Sequence, residues 1–292
     1  MASLNEIKSR INSVNSTMKI TSAMMMVSSA KLTRAQGAIG SFLPYQEKLD
    51  TILTNILSSD LGYESPFTES REVKKIAIVV CSSNGSLCGA YNSNIIKRFR
   101  DVYKAKSEEL GAENILVYSI GKKVTDAIKK AKVKMEKSSE SLADKPTYDE
   151  SRELALELIN LYVSGTVDEV LIIYSHFISA GTQKLLTSTY LPFDLGKEVS
   201  EDESKNGGDY IFEPSKNEIL DNLIPTVLNA RLFAAFLDAN ASEFAARMIA
   251  MQTATDNARE LNDGLKIQFN KQRQQEVTNQ LLDIIGGANA LS

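Results

Sequence analysis

The residue types that perform most enzyme chemistry are sparse in this 292-residue chain, which has one histidine and two cysteines. His176 stands alone, so a histidine-based metal cluster is excluded, and a catalytic triad lacks an identifiable nucleophile and orienting group. We interpret it as a structural or solvated side chain. Cys81 and Cys88 lack metal-site spacing, and without a secretory signal we expect reduced thiols in a strand and the turn after it. The sequence predicts no catalytic residue and no metal site.

A turn of small residues at 82–89 lies where a dinucleotide-binding fingerprint would occur. It contains Asn84, Gly85, Ser86 and Gly89, directly after an apolar run. The turn matches neither G-x-G-x-x-G nor G-x-x-x-x-G-K-[ST], so the phosphate-binding loop is incomplete. We therefore favour a tight strand-to-helix turn over a nucleotide site, and we expect no cofactor.

Two apolar ladders near the ends of the chain have the spacing of a coiled coil. Apolar groups that repeat every 3.5 residues form a seam that winds around a partner helix, and two seams in one chain pair most economically as an antiparallel pair. The first ladder is Leu4, Ile7, Ile11, Val14, Met18, Thr21, Met25, Ser28, Leu32, Ala35, Ile39 and Phe42. The second ladder is Leu237, Ala241, Phe244, Met248, Met251, Thr255, Ala258, Asn262 and Leu265.

The methionine triplet at residues 24–26 has two interpretations. It is either a soft metal-binding patch or core packing combined with an adaptable sliding surface. Only Met25 lies on the seam, and we favour packing. With equal rise along both helices, Phe42 lies near Leu237 and Met24 lies beside residue 255.

The predicted helices are long for a chain of this size. A helix over residues 3–57 would be ~80 Å long, and one over residues 215–286 would exceed ~100 Å. Both are longer than a compact domain of this chain, so the sequence predicts a rod that reaches a target or transmits force. The composition, 43% hydrophobic with a formal charge of −4, suits a globular protein. We find no apolar run of about eighteen residues and expect no membrane-spanning segment.

The segment between the ladders alternates between strand and helix patterns. Apolar, β-branched runs at residues 75–81, 113–120 and 169–174 predict strands, and residues 184–192 predict a further strand, perhaps antiparallel. Helices are expected over three ranges: residues 90–110, 122–132 and 148–164. The predicted fold class is therefore α/β, with a long antiparallel coiled coil and a Rossmann-like open sheet. The predicted domains are residues 1–58, 73–195 and 215–292, with a polar loop at 200–209.

Charge is distributed unevenly along the chain. Residues 1–40 carry five basic side chains and only Glu6 as an acid, whereas residues 194–221 carry nine acids and three lysines. A basic rod and an acidic body indicate different partners at the two ends. The alternative is that most of these residues form solvated faces.

Several motifs of the chain resemble those of one family. Residues 20–32 (ITSAMMMVSSAKL) resemble the N-terminal signature of the F-type ATP synthase gamma subunit, and residues 241–258 (ASEFAARMIAMQTATDNA) resemble its C-terminal signature. Further segments resemble the family's strand–turn motif, foot motif and ending: residues 82–92, 209–214, 270–274 and 284–291. The resemblance, to the bacterial type, covers essentially the whole chain in the right order.

The resemblance implies a rotor that has no catalytic activity of its own. The coiled coil would stand inside a hexamer of alternating alpha and beta subunits, with the α/β domain as a foot against the c-subunit ring and the epsilon subunit. Ion flow would turn the ring and rod, which would force each beta subunit through its nucleotide states. The implied location is the cytoplasmic side of the bacterial inner membrane, peripheral, with no membrane insertion and no nucleic-acid partner.

The resemblance also assigns contact residues. Met24 and Arg247 match positions tied to coupling, and Arg273 and Gln274 match residues that contact an acidic loop of a beta subunit. About seventeen C-terminal residues would extend past the N-terminus as an apolar tip that turns in an apolar sleeve. That tip ends in the apolar residues Leu281, Leu282, Ile284 and Ile285, of which Leu281, Ile284 and Ile285 would contact the hexamer. In the foot, Tyr210 and Glu213 match the residues that meet the c ring.

The chain departs from the family at some positions. The family usually has an acid, a base and a glycine at the positions of Asn84, Gly85 and Ser86, which leaves the contacts of this turn open. A basic residue is common at the position of Met25, and histidine or glutamine at that of Phe244.

Two other classes compete with the rotor: a free-standing nucleotide-dependent enzyme and a coiled-coil tether or scaffold. An enzyme would bind nucleotide alone, and a tether would dimerise through its seam.

Overall fold

The computed structural model describes residues 3–58, 67, 71–193, 213 and 215–290. The chain divides into two compact units. The two-helix unit comprises Met1–Ser29 with Arg247–Ser292, and the α/β unit comprises Ala30–Ala246.

Two long helices, α1 (Leu4–Ser58) and α6 (Lys216–Ala290), contribute to both units. Each begins after a serine that caps it: the Glu6 amide donates to Ser3 Oγ at 3.3 Å, and the Glu218 amide donates to Ser215 Oγ at the same distance. Such a bond satisfies one of the unpaired amides of the first turn. The predicted start of α1 at Ser3 is confirmed. α6 ends four residues beyond the prediction of residue 286.

The two-helix unit is held together by the predicted seam. Ile7, Met251, Ala258 and Leu265 are buried, and the other ladder positions of this unit are buried or half-buried. Four of the buried seam residues are polar: Thr21, Ser28, Thr255 and Asn262. The Thr21 and Thr255 hydroxyls share a hydrogen bond of 2.7 Å. The predicted coiled-coil pairing of the two ends is confirmed.

The register of the helices differs from the equal-rise estimate by about one turn. Thr21, rather than Met24, lies opposite Thr255. Within the α/β unit, the Phe42 ring packs edge-on against Phe233 at 4.9 Å between centroids, about one turn of α6 before Leu237. The estimate took one pair of residues, Phe42 and Leu237, as a common starting point and counted equal rise along both helices from there. The observed register is instead fixed by specific pairs, the hydroxyl pair and the aromatic pair, that no spacing rule contains.

The α/β unit is built on a five-stranded sheet with the order β3-β2-β1-β4-β5. β1, β2, β3 and β4 are mutually parallel, and β5 runs antiparallel to β4, as predicted for the last strand. The strands are β1 (Ile76–Cys81), β2 (Ile115–Ile120), β3 (Lys137–Ser139), β4 (Glu169–Ser179) and β5 (Thr182–Leu191). This sheet with crossover helices is the predicted Rossmann-like arrangement.

Helices cover both faces of the sheet. β1 is buried at every residue and therefore reads as a continuous apolar run. Ile76, Ile78 and Val80 pack with residues of α2 and α3, whereas Ala77 and Val79 belong to a core with α5 and parts of α1 and α6. The helices between the strands are α2 (Tyr91–Leu110), α3 (Lys122–Lys130), α4 (Ser141–Asp144) and α5 (Tyr148–Val163).

The sequence reading missed two short elements and underestimated the length of β4. β3 and α4 have three and four residues, too few to produce a periodic pattern. β4 continues to Ser179, five residues beyond the prediction, because its last residues pair with β5 although most of them are exposed. The predicted polar loop at 200–209 lies outside the described residues.

By length and composition, one helix in the described part of the chain is apolar enough to cross a membrane. Its range is Glu218–Gly286, with an 18-residue stretch of mean hydropathy 1.2 that is 50% buried inside the protein. This average does not require the continuous apolar run that the sequence lacks, because it tolerates polar residues within the stretch. Core helices meet the same criterion.

Candidate functional site

The outer surface of the two-helix unit is unusually apolar. Its described residues include eleven exposed large hydrophobic side chains, although this unit is much the smaller of the two. Exposed apolar patches of this kind mark surfaces that bind a partner. The eleven exposed side chains are those of Ile20, Met26, Val27, Ile249, Leu261, Ile267, Val277, Leu281, Leu282, Ile284 and Ile285.

Met24 and Arg247, both predicted to affect coupling, are half-buried residues of the two-helix unit. Met24 lies about 4.5 Å along α1 from the Thr21–Thr255 level, and Arg247 lies about 12 Å along α6 in the same direction, because the helices are antiparallel. The two residues are therefore offset by about 7.5 Å along the pair, less than the sequence estimate. The Met24 carbonyl accepts a hydrogen bond of 2.8 Å from Ser28 Oγ.

The predicted loop-contact residues lie where the seam of α6 ends. Leu265 is the last buried seam residue, Phe269 and Gln272 are half-buried, and Arg273 and Gln274 are exposed. Every described side chain from residue 273 to residue 286 is exposed. The basic and amide donors of Arg273 and Gln274 are thus accessible to an acceptor outside the unit.

The predicted tip is a continuation of helix α6. Leu281, Leu282, Ile284 and Ile285 have exposed fractions between 54% and 68%. The helix continues to Ala290. These four large aliphatic side chains therefore form an exposed apolar stretch within little more than one turn of the helix.

The predicted foot residues are only partly visible. Tyr210 lies outside the described residues. Glu213 is described, and it is an exposed residue in a bend. The structure therefore gives Glu213 an accessible carboxylate and says nothing of the pair.

The turn at residues 82–92 is held by its own side chains. Asn92 Nδ2 donates to Ser83 Oγ at 2.8 Å and to Cys88 Sγ at 3.0 Å, and the Ser83 amide donates to Asn92 Oδ1. Leu87 is held at φ 66°, in the left-handed region, and is 57% exposed. An apolar side chain held exposed in a strained conformation indicates a constrained surface feature.

Asn84, which departs from the family pattern, connects three segments of the α/β unit. Its Nδ2 donates to the Glu140 carbonyl at 2.7 Å, and its Oδ1 accepts from the Lys122 amide at 3.0 Å. It thereby joins the β1 turn to the start of α3 and to the segment before α4. Sequence reasoning left the contacts of this residue open, and the described ones are internal.

The two cysteines are free and buried, in β1 and in the following turn, as predicted. Burial raises the pKa of the Cys81 thiol far above its usual range. A thiol held in its neutral form is a poor nucleophile. Among the described residues, no group of three or more histidine, cysteine, aspartate or glutamate side chains is arranged to hold a metal ion.

The α/β unit contains a cavity of about 480 Å³ that sequence reasoning did not anticipate. At its edge His176 Nδ1 lies 2.5 Å from Asp238 Oδ2, and the Phe177 amide donates to Asp238 Oδ1 at 2.7 Å. Burial raises the pKa of Asp238, and these two hydrogen bonds partly offset the effect. Asp238 follows the seam residue Leu237, so the sequence indicated that it lies on α6. Nothing in the sequence indicated that it contacts His176.

A second charged pair lies at the cavity. Arg231 Nη2 is 2.9 Å from Asp50 Oδ1, and its guanidinium stacks over Phe193 at 4.6 Å from the ring centroid. Burial also raises the pKa of Tyr174, which lines the same cavity, to about 12. Inside the α/β unit, the two charged pairs and the Phe193 ring connect α6 to α1, to β4 and to the segment after β5.

Comparisons with known proteins agree on one family. A family model described as ATP synthase matches residues 3–291. The ATP synthase gamma chain of Bacteroides thetaiotaomicron is 55% identical over 297 residues, with 99% of both chains covered. The ATP synthase gamma chain of Bacteroides fragilis is also 55% identical, with 99% of this chain and 100% of the relative covered.

The fold is shared with a solved structure at lower sequence identity. A chain from the rotor of the Euglena gracilis mitochondrial ATP synthase has a TM-score of 0.64 at 18% identity, covering 94% of this chain and 98% of that chain. Two long helices around an open sheet are therefore a known arrangement. On the family model and the near-identical lengths of the bacterial relatives, this chain belongs to the ATP synthase gamma chain family.

Proposed function

We propose that the chain is the central-stalk rotor subunit of an F-type ATP synthase. In this role it couples ion-driven rotation of a membrane ring to ATP synthesis or hydrolysis on a hexamer of alpha and beta subunits. The chain performs no catalytic step itself. Residues 1–58 and 215–292 form the coiled coil of the stalk, and residues 73–195 form its foot.

The observation that carries this proposal is the apolar outer surface of the two-helix unit. Eleven exposed large hydrophobic side chains lie outside a seam whose buried positions include four polar residues. Water is a poor environment for such a surface, whereas an enclosing partner removes it from water. The proposal supplies that partner as the hexamer.

The chemistry of the tip supports rotation. Contacts of Leu281, Ile284 and Ile285 with an apolar sleeve are non-directional, because dispersion and apolar burial depend little on angle. A rotor that made many hydrogen bonds at its tip would instead meet a deep energy minimum at each orientation. The exposed aliphatic end of α6 suits a bearing.

Directional contacts lie about two turns before the tip along α6. Arg273 and Gln274 are exposed donors, and we propose that they bind an acidic loop of a beta subunit at particular angles. Met24 and Arg247 contact the same hexamer and affect coupling. Angle-dependent contacts of this kind let the rotor favour one conformation of each beta subunit over another.

The ring is the second proposed partner, and the α/β unit binds it. We propose that Tyr210 and Glu213 meet the c-subunit ring and that the foot also contacts the epsilon subunit. The complex lies peripherally on the cytoplasmic side of the bacterial inner membrane, with the chain itself not inserted. The solved relative from Euglena gracilis is a chain of a mitochondrial ATP synthase rotor, which supports the rotor role.

Reconstitution tests the proposal. Alpha and beta subunits from the same source are purified, and ATPase turnover is measured with and without this chain. We expect a stable complex with one copy of the chain per three alpha–beta pairs, and faster turnover on its addition. A complex that never forms, with turnover unchanged, would overturn the proposal and favour a tether.

Two variants locate the proposed contacts. Arg273→Ala with Gln274→Ala should preserve assembly and slow turnover, because the apolar tip remains. Ile284→Ala with Ile285→Ala should weaken assembly more than turnover per assembled complex. A matched control is Lys271→Ala, an exposed side chain on the same helix. Equal effects from the control and the contact variants would mean that these residues do not contact the hexamer.

A further inference from the structure

A concentration of lysine residues occupies one edge of the α/β unit. The 16 residues from Lys122 to Lys137 contain seven lysines against two acids, Asp126 and Glu136, so the segment has a formal excess of five positive charges in a chain whose net charge is −4. Six of these lysines form the group called here the lysine face. They are Lys122, Lys123, Lys129, Lys130, Lys132 and Lys134.

The lysine face is accessible and lacks internal ion pairs. Five of its members are exposed and Lys123 is half-buried. In the part of the chain that the structure describes, the seventh lysine of the segment, Lys137, pairs with Glu157 at 2.7 Å, whereas no member of the lysine face has an ion pair. By contrast, Lys104 and Lys106 of neighbouring α2 lie 3.9 and 3.4 Å from Glu108 and Glu109. The charge of α2 is therefore partly balanced, and that of the lysine face is not.

Helix stability does not account for the lysine face. α3 places Lys122 and Lys123 in its first turn, without an acid there, although the helix dipole disfavours cations at that end. Lys129 and Lys130 lie in the last turn, where the dipole favours them. Lys132 follows the helix at φ 55°, a left-handed conformation more often given to glycine or asparagine. The helix dipole therefore favours only two of the four lysines in α3.

The chemistry of the segment identifies the kind of partner. It contains no arginine and no aromatic residue, and its apolar Val133 and Met135 pack against the core. Protein interfaces are enriched in arginine and aromatic residues and depleted of lysine, and single-stranded nucleic acids require stacking side chains. Lysine is a compact, strongly hydrated charge without a preferred acceptor geometry. A dispersed group of lysines suits a diffuse anionic surface.

We propose that the lysine face is a docking surface for anionic phospholipid head groups. Each lysine near such a surface contributes electrostatic attraction, which adds across the group and requires no insertion. The attraction has no preferred direction in the membrane plane, so it is compatible with rotation. The proposal rests on the charges of this chain, and it adds a membrane-surface contact to the rotor role.

Vesicle cosedimentation of the full-length chain tests the docking surface. The probes are sucrose-loaded vesicles of phosphatidylcholine, with and without phosphatidylglycerol. We expect binding to the anionic vesicles only, with loss of binding between about 50 mM and about 500 mM NaCl because salt screens exposed charges. Equal binding to both kinds of vesicle, or binding unaffected by salt, would overturn the proposal.

A charge-matched pair of variants separates the lysine face from net charge. The test variant carries Lys122→Gln, Lys129→Gln, Lys130→Gln and Lys134→Gln. The control carries Lys19→Gln, Lys48→Gln, Lys97→Gln and Lys184→Gln, which are exposed lysines elsewhere. We expect the test variant to partition at least about tenfold less onto anionic vesicles, and the control to lose less than about threefold. Equal losses would mean that net charge alone governs binding.

Two other outcomes would also contradict the proposal. Unchanged vesicle binding with aggregation of the test variant would mean that the lysines protect the exposed edge strand β3 from pairing. Binding to duplex DNA or transfer RNA without binding to anionic vesicles would assign the face to nucleic acid. Circular dichroism confirms that each variant is folded. The test variant should still stimulate soluble alpha–beta hexamer, so loss of docking and loss of the rotor role are distinguishable.

Discussion

The two units of this protein differ in how much large apolar surface they leave exposed for their size. The α/β unit buries large apolar residues such as Ile78, Val79 and Phe236, as an independently folded domain does. The two-helix unit buries Thr21, Ser28, Thr255 and Asn262 in its seam and exposes large aliphatic residues outside it. The α/β unit is thus adapted to water, and the two-helix unit is adapted to an enclosing partner.

The comparison indicates different sources of stability. The sheet of the α/β unit positions its own turns through internal hydrogen bonds such as those of Asn84 and Asn92. The two-helix unit has one narrow seam, and we expect it to gain further stabilisation on assembly, because binding to the native state alone adds to stability. Substitutions in the two units should therefore have different consequences in the isolated chain and in the complex.

The largest effect is expected at Gly121 in the α/β unit. It lies at φ +93° between β2 and α3, and an added Cβ would be 2.2 Å from the Ser82 carbonyl oxygen. Gly121→Ala should lower the free energy of unfolding by roughly 3 kcal/mol or more, because both the backbone conformation and the close approach exclude a side chain. Urea unfolding measures this value. The matched control is Gly181→Ala, where nothing lies within 4 Å, and its effect should be under about 0.5 kcal/mol.

Substitutions at Leu265 and Ile267 should distinguish the seam of the two-helix unit from its outer surface. Leu265 is 8% exposed and Ile267 is 71% exposed, on the same turn of α6. Leu265→Ala should lower the local opening free energy by about 2–4 kcal/mol, and Ile267→Ala by under about 0.5 kcal/mol in the isolated chain. Hydrogen exchange of the α6 amides measures both values. Comparable protection losses in the two variants would contradict the assignment of seam and outer surface.

Asn262 should limit the stability of the seam. It is 4% exposed, and in the described structure its Oδ1 has no hydrogen-bond partner. Asn262→Leu should therefore stabilise α6 by about 1 kcal/mol, because a buried unsatisfied amide is removed. Thr255→Val, which loses the hydrogen bond to Thr21, should destabilise it by about 1 kcal/mol. If Asn262→Leu lowers amide protection instead, the polar seam residue is required for stability.

The smallest effect is expected from the titration of Asp238 in the α/β unit. Its pKa in the folded chain is raised above the ordinary value of 3.8 by burial. The folded state therefore binds a proton more readily than the unfolded state. As the pH is lowered through the raised pKa towards 3.8, the free energy of unfolding of the native chain should rise relative to that of Asp238→Asn. Urea unfolding of both proteins across this range gives the difference.

His176→Ala provides the control for this titration. It removes one of the hydrogen bonds that favour the ionised carboxylate, so the pKa of Asp238 should rise further and the pH dependence should begin at a higher pH. A difference in unfolding free energy that falls as the pH is lowered would contradict the sign of the pKa shift.

Much of the fold could be predicted from the sequence because its signals are periodic. The 3.5-residue ladder placed every seam position of the two-helix unit at a buried or half-buried site. The three apolar runs that became β1, β2 and β4 were recognisable because strands buried on both faces lack alternation. Short elements gave no comparable signal, so β3 and α4 were missed.

The partner surfaces were less predictable than the fold. A ladder identifies the residues that face the second helix and gives no information about Ile20, Ile267 or the other exposed aliphatic side chains. The pair of His176 and Asp238 joins residues 62 positions apart, and the register of α1 on α6 depends on packing. The contact residues taken from family resemblance stay predictions, because each requires a partner chain.

Accessibility of Ile267 in the free and assembled protein tests most directly whether a partner encloses the two-helix unit. Ile267→Cys is labelled with a maleimide in the isolated chain and in the complex with alpha and beta subunits, with the parent chain, whose two cysteines are buried, as the background. We predict rapid labelling in the isolated chain and labelling at least about tenfold slower in the complex, as at the core of an interface. Equal rates in a complex that demonstrably contains the chain would contradict the enclosure of this surface.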